Sequence, residues 1–292
     1  MEAQIVTEDS KLKKHEFLLG ATYDLCYLNG TYDEVPDANV VQIFITGPSL
    51  PTKRPGWLDQ TMLDIIKFNG QNRRLFVHNS YAINLARKIP EKHFLSTLMQ
   101  LEVANEIGAE GFVVHLGSSV SMKIEDAEKN FIENIEGLIK ATRDNGWTTK
   151  ILLETSAGEG TELCSDIRDF DDIRKRIDGF SDYCSTCLDT AHVWAVGYSI
   201  DTAETAREFM KTYRKTLDIP YLIHFNGNKT AREKRIDRHA DIGGNSNKIP
   251  MDGLMEIARY ANEMGIPLCL ETPCNEIKRN DQYEIIKREI SS

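Results

Sequence analysis

Short apolar runs alternate along this chain with stretches whose apolar residues recur every three or four positions. The runs read as buried strands and the spaced stretches as amphipathic helices packed on them. Phe17 to Gly20 is the first run and Val40 to Ile45 the second. Leu58, Met62, Ile65 and Ile66 then form a helical face ahead of a strand from Leu75 to His78. Phe94, Leu98 and Leu101 mark a helix stopped at Gly108, followed by a strand from Gly111 to His115. Phe131, Ile135, Leu138, Ile139 and Thr142 mark another, stopped at Gly146, ahead of Ile151 to Glu154. Ile167, Phe170, Ile173 and Ile177 precede a strand from Cys184 to Asp189. Ala206, Phe209, Met210 and Tyr213 precede Tyr221 to His224, and Leu254, Ile257, Ala258 and Ala261 precede Ile266 to Glu271.

Eight strands alternating with helices or long connections imply a parallel sheet. In a chain of 292 residues they fit a (β/α)8 TIM barrel, whose usual length is about 250 residues. An open doubly wound sheet competes, but no Gly-x-Gly-x-x-Gly follows the first strand. The polar residues 1–14 read as an N-terminal arm and residues 15–292 as one barrel domain.

The strand ends carry the chemistry. Six successive strands finish on His78, His115, Glu154, Asp189, His224 and Glu271. Parallel barrel strands converge at their carboxyl ends on one face, where active sites sit. So many buried carboxylates and imidazoles together would be costly without cations. Just past Asp189, His192 falls in the first turn of the following segment, so the two can serve neighbouring metals. After His224 a longer connection adds Asp237-Arg238-His239. Residues two apart in extended backbone point the same way, so Asp237 and His239 can grip one ion, and His192 would complete a third site. A donor set of His, Asp and Glu without cysteine suits Zn2+, with Mn2+ and Fe2+ as alternatives, better than Mg2+.

Composition adjusts this picture only slightly. At 41% hydrophobic and 27% charged residues the chain is an ordinary globular one, with no apolar run of membrane-spanning length. The net charge of −10 argues against nonspecific coating of nucleic acid but leaves local contact open, since bound metals would neutralise several carboxylates. Six scattered cysteines form no disulfide framework, and Cys184-x-x-Cys187 lacks a second pair at zinc-ribbon spacing, so buried strand cysteines in a reducing compartment are expected.

The residues at and around the strand ends resemble the endonuclease IV family of apurinic/apyrimidinic (AP) endonucleases. The similar segments are His78-Asn79-Ser80-Tyr81-Ala82-Ile83-Asn84-Leu85, Val114-His115-Leu116-Gly117-Ser118 and Leu153-Glu154-Thr155-Ser156-Ala157-Gly158-Glu159-Gly160. Leu188-Asp189-Thr190-Ala191-His192, His224-Phe225-Asn226, Ile236-Asp237-Arg238-His239 and Leu270-Glu271-Thr272-Pro273 follow in the family's order. The resemblance implies three zinc ions. The first would be held by His78, His115 and Glu154; the second by Glu154, Asp189, His224 and Glu271; the third by His192, Asp237 and His239. It implies hydrolysis of the phosphodiester 5′ of an abasic site, leaving a 3′-hydroxyl, with Glu154 and Glu271 as catalytic carboxylates. It also implies damaged double-stranded DNA as partner and a monomer. The charged N-terminal stretch does not read as a signal peptide, which leads us to expect an unsecreted protein of the cytoplasm or another intracellular compartment that holds DNA, with no membrane association.

The resemblance puts Tyr81 and Ala82 at DNA-penetrating positions, and Ser118, Asn226, Lys229, Arg238 and Lys248 on the same face are candidate phosphate contacts. The chain departs from the family pattern at several points. Leu116 stands for the usual proline, Thr155-Ser156 for Asn-Thr, and Gly227 for an aspartate after Asn226. Ala240 to Asn245 lacks the commoner Gly-Glu-Gly, and Ala82 replaces a larger apolar wedge. Lys53 and Arg54, in the segment Gly47 to Trp57, have no assigned counterpart. A metal-dependent sugar isomerase or epimerase on a similar barrel is the competing enzyme, and a metal-stabilised module that only binds damaged DNA is the non-catalytic alternative. The Asp237-Arg238-His239 segment disfavours the isomerase, which needs no third ion.

Overall fold

The structure, a computed structural model, describes residues 17–25, 28, 38–47, 50–88 and 91–291; the arm expected over residues 1–14 lies outside them. Eight parallel strands close into a barrel. They are β1 (Leu19–Tyr23), β2 (Val40–Phe44), β3 (Arg74–His78), β4 (Gly111–His115), β5 (Lys150–Glu154), β6 (Cys184–Asp189), β7 (Leu222–His224) and β10 (Leu268–Leu270). The TIM-barrel expectation is thus borne out. The first strand runs on to Tyr23 rather than stopping at Gly20, and its end is fastened by a 2.9 Å hydrogen bond between the Tyr23 and Tyr283 hydroxyls.

Helices cover the outside. α1 (Gln60–Gly70), α2 (Glu91–Glu106), α3 (Ile124–Asn145) and α4 (Ile167–Arg176) are followed by a single turn, α5 (Phe180–Tyr183). In α1 the buried face is Leu63, Ile66 and Gly70, not the expected set of Leu58, Met62, Ile65 and Ile66: Leu58 precedes the helix and Ile65 is exposed. α3 buries Phe131, Ile135, Leu138, Ile139 and Thr142, its predicted face, and ends on Gly146 in the left-handed region. α7 (Ala203–Leu217) and α8 (Met251–Met264) follow β6 and β7 in the chain and pack against each other. The hydrophobic pattern assigns nothing beyond Glu271, yet α9 (Arg279–Ser291) closes the ring there by burying Gln282, Tyr283 and Ile286.

The barrel interior explains the chemistry of the strand ends. Val40, Phe76, Val113, Leu152, Cys187, Leu222 and Cys269 form one apolar layer across it, separate from the core between strands and helices. Side chains alternate along a strand, so the residue two positions on points inward again, one layer higher. Two on from these seven are Gln42, His78, His115, Glu154, Asp189, His224 and Glu271. The register agrees, pairing His115 with Glu154 and Asp189 with His224. Cys184 and Cys187 are free thiols among the described residues, and burial pushes both up to about 12. They are strand core, as expected.

Candidate metal centre

Asp189 shows how sequence and fold combine at the site. It ends β6 and is the N-cap of a short helix, α6 (Thr190–Val196), so its Oδ1 accepts the Ala191 and His192 amides at 2.6 and 3.1 Å. The cap fixes the carboxylate and sets His192 in the first helical turn, facing the barrel mouth. Asp189 Oδ2 accepts the Asn226 side-chain amide at 2.8 Å and stands 3.5 Å from His239 Nε2.

Glu154, 1% exposed, occupies the centre. Its Oε2 lies 3.3 Å from His78 Nε2 and 3.1 Å from His115 Nε2, while Oε1 lies 2.8 Å from His224 Nδ1. One carboxylate therefore faces two groups of donors. The long connection after β7 returns as a hairpin of β8 (Gly227–Asn228) and β9 (His239–Ala240). It brings Asp237 to 3.2 Å from both His192 Nε2 and His239 Nε2. Three clusters result whose donor atoms lie within 4.8 Å of one another: His78, His115 and Glu154; Glu154, Asp189, His224 and Glu271; Asp189, His192 and His239. The first two match the expected groupings. In the third Asp189 stands beside the histidines in a place expected for Asp237, which contacts both rings from the rim.

The donor chemistry fits divalent cations. Among the described residues, His239 Nε2 and Asp237 Oδ1 are buried without a hydrogen-bond partner, an arrangement that a cation between them relieves. Three imidazoles turn Nδ1 to a backbone carbonyl: His78 to Asn79, His192 to Thr155 and His239 to Glu271, at 2.7, 2.6 and 3.2 Å. That leaves Nε2 of each for the centre, the usual arrangement of a metal-binding histidine. Without cations the groups neutralise each other. Burial opposes ionisation of Glu154, but His224 and His115 hold its carboxyl well below the usual range. Burial likewise opposes charging of His192, and Asp189 and Asp237 raise it well above the ordinary imidazole value. Burial also opposes ionisation of Asp237, and His192 and His239 hold it low.

The cleft over the centre encloses about 460 Å³ and is lined by Thr22, Phe44, Tyr81, Thr272 and seven of the candidate ligands, with Asp189 and His224 buried beneath them. Tyr81 is 68% exposed at its rim, edge-on to Phe44 at 6.0 Å, and Ala82 beside it is exposed. Ser118 is half-buried and hydrogen-bonds Thr161 at 2.7 Å. Lys229 and Lys248 are exposed, and Arg238 is paired with Glu159 at 3.2 Å. Lys53 is exposed, whereas Arg54 is tied to Glu106.

One expected DNA contact is corrected. Asn226 is fully buried, with Nδ2 on Asp189 and Oδ1 accepting the Glu271 amide at 2.8 Å. Both ends of its side chain hold candidate ligands, so none faces a phosphate.

The departures from the family pattern find local reasons. Thr155 serves the site through its carbonyl, on His192, and its hydroxyl, which accepts the Asp189 amide at 2.9 Å. At Gly227 a Cβ would meet Asn247 Oδ1 at 2.7 Å and Ala240 O at 2.9 Å, so the hairpin has no room for an aspartate. In the changed Ala240 to Asn245 loop, buried Asp241 accepts the amides of Cys274, Glu276 and Ile277 at 2.7, 2.6 and 3.0 Å, fastening the segment after β10.

Sequence reasoning overlooks Gln42, Thr22 and three further cations of the β8–β9 connection. Gln42 is the one polar residue within the apolar run Val40 to Ile45, and its spacing from Val40 was the available signal. Arg232, Lys234 and Arg235 lie between Lys229 and Arg238 in that connection and are exposed.

Comparisons with known proteins agree with this architecture. A family model described as a xylose isomerase-like TIM barrel matches residues 37–290. A protein of Acanthamoeba polyphaga mimivirus named endonuclease 4 is 32% identical over 273 residues, covering 85% of each chain. Apurinic-apyrimidinic endonuclease 1 of Plasmodium berghei is 31% identical over 212 residues, 71% of this chain and 40% of that one. Among solved structures, endonuclease IV from Thermus thermophilus superposes with a TM-score of 0.73 at 22% identity, covering 94% of this chain and 99% of that one, a likeness of fold. The chain is thus a xylose isomerase-like TIM barrel and belongs, within that fold, to the endonuclease IV family of AP endonucleases.

Proposed function

We propose that the protein is a zinc-dependent AP endonuclease that hydrolyses the phosphodiester 5′ of an abasic site and leaves a 3′-hydroxyl. The observation that carries this reading is the gathering of His78, His115, Glu154, Asp189, His192, His224, His239 and Glu271 at the floor of one open cleft, in three clusters linked through Glu154 and Asp189, with Asp237 3.2 Å from His192 and His239. A sugar isomerase needs no donor set of that extent, and mere binding of damaged DNA needs no open one.

The residues assign themselves roles. His78, His115 and Glu154 would hold one ion. Glu154, Asp189, His224 and Glu271 would hold a second, and His192, Asp237 and His239 a third, with Asp189 close by. When bound, such ions supply Lewis acidity that activates water and stabilises charge on phosphate oxygens. Glu154, ionised and central, orients a water for in-line attack, and Glu271 flanks it. Tyr81, exposed on the rim, offers a face for a base or sugar displaced from the stack, which a recessed site needs in order to reach the backbone of a duplex. Lys229, Lys234 and Arg235, exposed on the β8–β9 connection, would meet backbone phosphates. Such an enzyme works on DNA inside a cell and acts as a monomer.

The test is a duplex carrying one tetrahydrofuran abasic analogue, incubated with protein before and after prolonged chelation. The analogue has no aldehyde, so lyase chemistry cannot cut it. A single incision on its 5′ side giving an extendable 3′-hydroxyl, lost on metal removal and restored by zinc, is expected. An intact strand after incubation with metal-replete protein would overturn the proposal.

A further inference from the structure

Gln42 is fully buried at the level of the ligand ring, as the β2 member of the layer above Val40. Its side-chain amide makes three contacts. Nε2 lies 2.7 Å from Glu271 Oε1 and 2.9 Å from Thr22 Oγ1, and Oε1 lies 2.9 Å from His224 Nε2.

The chemistry of these partners decides which way the amide points. Deprotonated, the Glu271 carboxylate can only accept, so the NH2 end of Gln42 must face it. Its carbonyl end then faces His224, and His224 Nε2 must carry the proton. The ring nitrogen left for the centre is Nδ1, at 2.8 Å from Glu154 Oε1 and 3.2 Å from Glu271 Oε2. His224 is therefore the inverse of His78, His192 and His239, which each spend Nδ1 on a carbonyl and present Nε2. Glu271 is held in the same way. Its Oε1 accepts from both Gln42 and Thr22, the latter at 3.2 Å, which leaves Oε2 for the centre.

We propose that Gln42, assisted by Thr22, is the positioning residue of the second ion site: one amide fixes the tautomer and ring of His224 and the free oxygen of Glu271. The inference rests on the metal-centre reading above. It concerns only the cluster of Glu154, Asp189, His224 and Glu271, because Thr22, His224 and Glu271, the partners of the Gln42 amide, belong to neither of the other two.

The test counts retained metal against buffered free zinc, without reference to activity, for the wild type, Gln42→Met and Thr22→Val. Methionine keeps the length and loses both hydrogen-bonding ends; valine keeps the shape of threonine. Wild type should retain three ions. Q42M should hold one of them about 10- to 100-fold more weakly, the range that loss of such a supporting hydrogen bond produces. T22V should weaken the same ion by a smaller factor. In the zinc-loaded wild type the His224 Nε2 proton should be visible by NMR as a hydrogen-bonded imidazole N–H, shifted upfield in Q42M. Retention by Q42M matching the wild type, or equal weakening of all three ions, would overturn the inference while leaving the metal centre standing. Should the wild type retain no zinc, the metal-centre reading falls, and this inference with it.

Discussion

At the scale of single residues the centre is held together by mutual neutralisation, which gives two expectations. Glu154 shares its two oxygens between clusters, so Glu154→Gln removes a donor from both at once. Strand cleavage should fall by more than the roughly 100-fold that loss of a hydrogen bond behind a ligand can cause, with loss of more than one zinc by elemental analysis. Unchanged cleavage would remove Glu154 from the mechanism. The second concerns pH. Burial opposes charging of His239, but Asp189 and Asp237 raise it from 6.5 to about 9 in the metal-free protein. A raised imidazole contributes stability that is fully present below pH 6.5 and is lost as pH rises through about 9. Metal-free protein should therefore lose thermal stability across that window. Zinc-loaded protein, whose histidines are neutral ligands, should not. Calorimetry of both forms at constant ionic strength reads the difference, and a metal-free form that gains stability there would contradict it.

At the scale of elements, α6 and the β8–β9 connection act together. Trp194 Nε1 donates to Thr230 O at 2.9 Å, and the Glu233 and Arg235 amides donate to the Trp194 and Ala195 carbonyls at 3.2 and 2.8 Å. Glu233 and Arg235 sit in the left-handed region, at φ 66° and 52°, a conformation that this docking must hold against its steric cost. Trp194→Phe removes one of these bonds, a loss of about 1 kcal/mol, and should speed amide exchange between Thr230 and Ile236 more than in the barrel strands. The same connection carries Lys229, Lys234 and Arg235 toward solvent. Replacing all three by alanine should weaken binding to a tetrahydrofuran duplex and flatten its salt dependence. The log–log slope should drop by about 0.9 for every phosphate that the variant no longer neutralises. A titration series in salt decides, and an unaltered slope would move the phosphate contacts elsewhere. Gly227 sets the limit of this hairpin: Gly227→Asp should destabilise it through contact with Asn247 and Ala240, and should lower third-site occupancy before it lowers barrel stability.

For the whole molecule, the net charge of −10 and a DNA-directed function are reconciled by where the charge sits. Four carboxylates of the chain converge on one cleft with four buried or half-buried imidazoles and His115. Cations bound there would neutralise the face proposed to meet DNA, so chelation should lower both the melting temperature and the affinity for the duplex. Differential scanning fluorimetry and binding measured on the same chelated sample check both.

Much of this was legible in the sequence for one physical reason: in a parallel barrel, side chains of period two point inward and all strands end on the same face. An apolar residue followed two positions later by His, Glu or Asp, as in Phe76 and His78 or Leu152 and Glu154, therefore declares both the layer and the ligand above it. The helices α3, α4, α7 and α8 followed from apolar periodicity, and the free cysteines from their place in strands. What tertiary structure alone decided were contacts between residues distant in the chain. Asn226 reads as a polar loop residue until its amide is seen bridging Asp189 and Glu271. Gln42 reads as a flaw in an apolar strand until closure of the barrel sets it against His224 and Glu271, far along the sequence. α9 has too weak an apolar stripe to be read alone, and it forms because the barrel offers Tyr283 and Ile286 a place to be buried. Residue type and spacing determine which groups can meet a metal. Which nitrogen and which oxygen each one offers depends on partners that only the closed barrel brings within hydrogen-bonding distance.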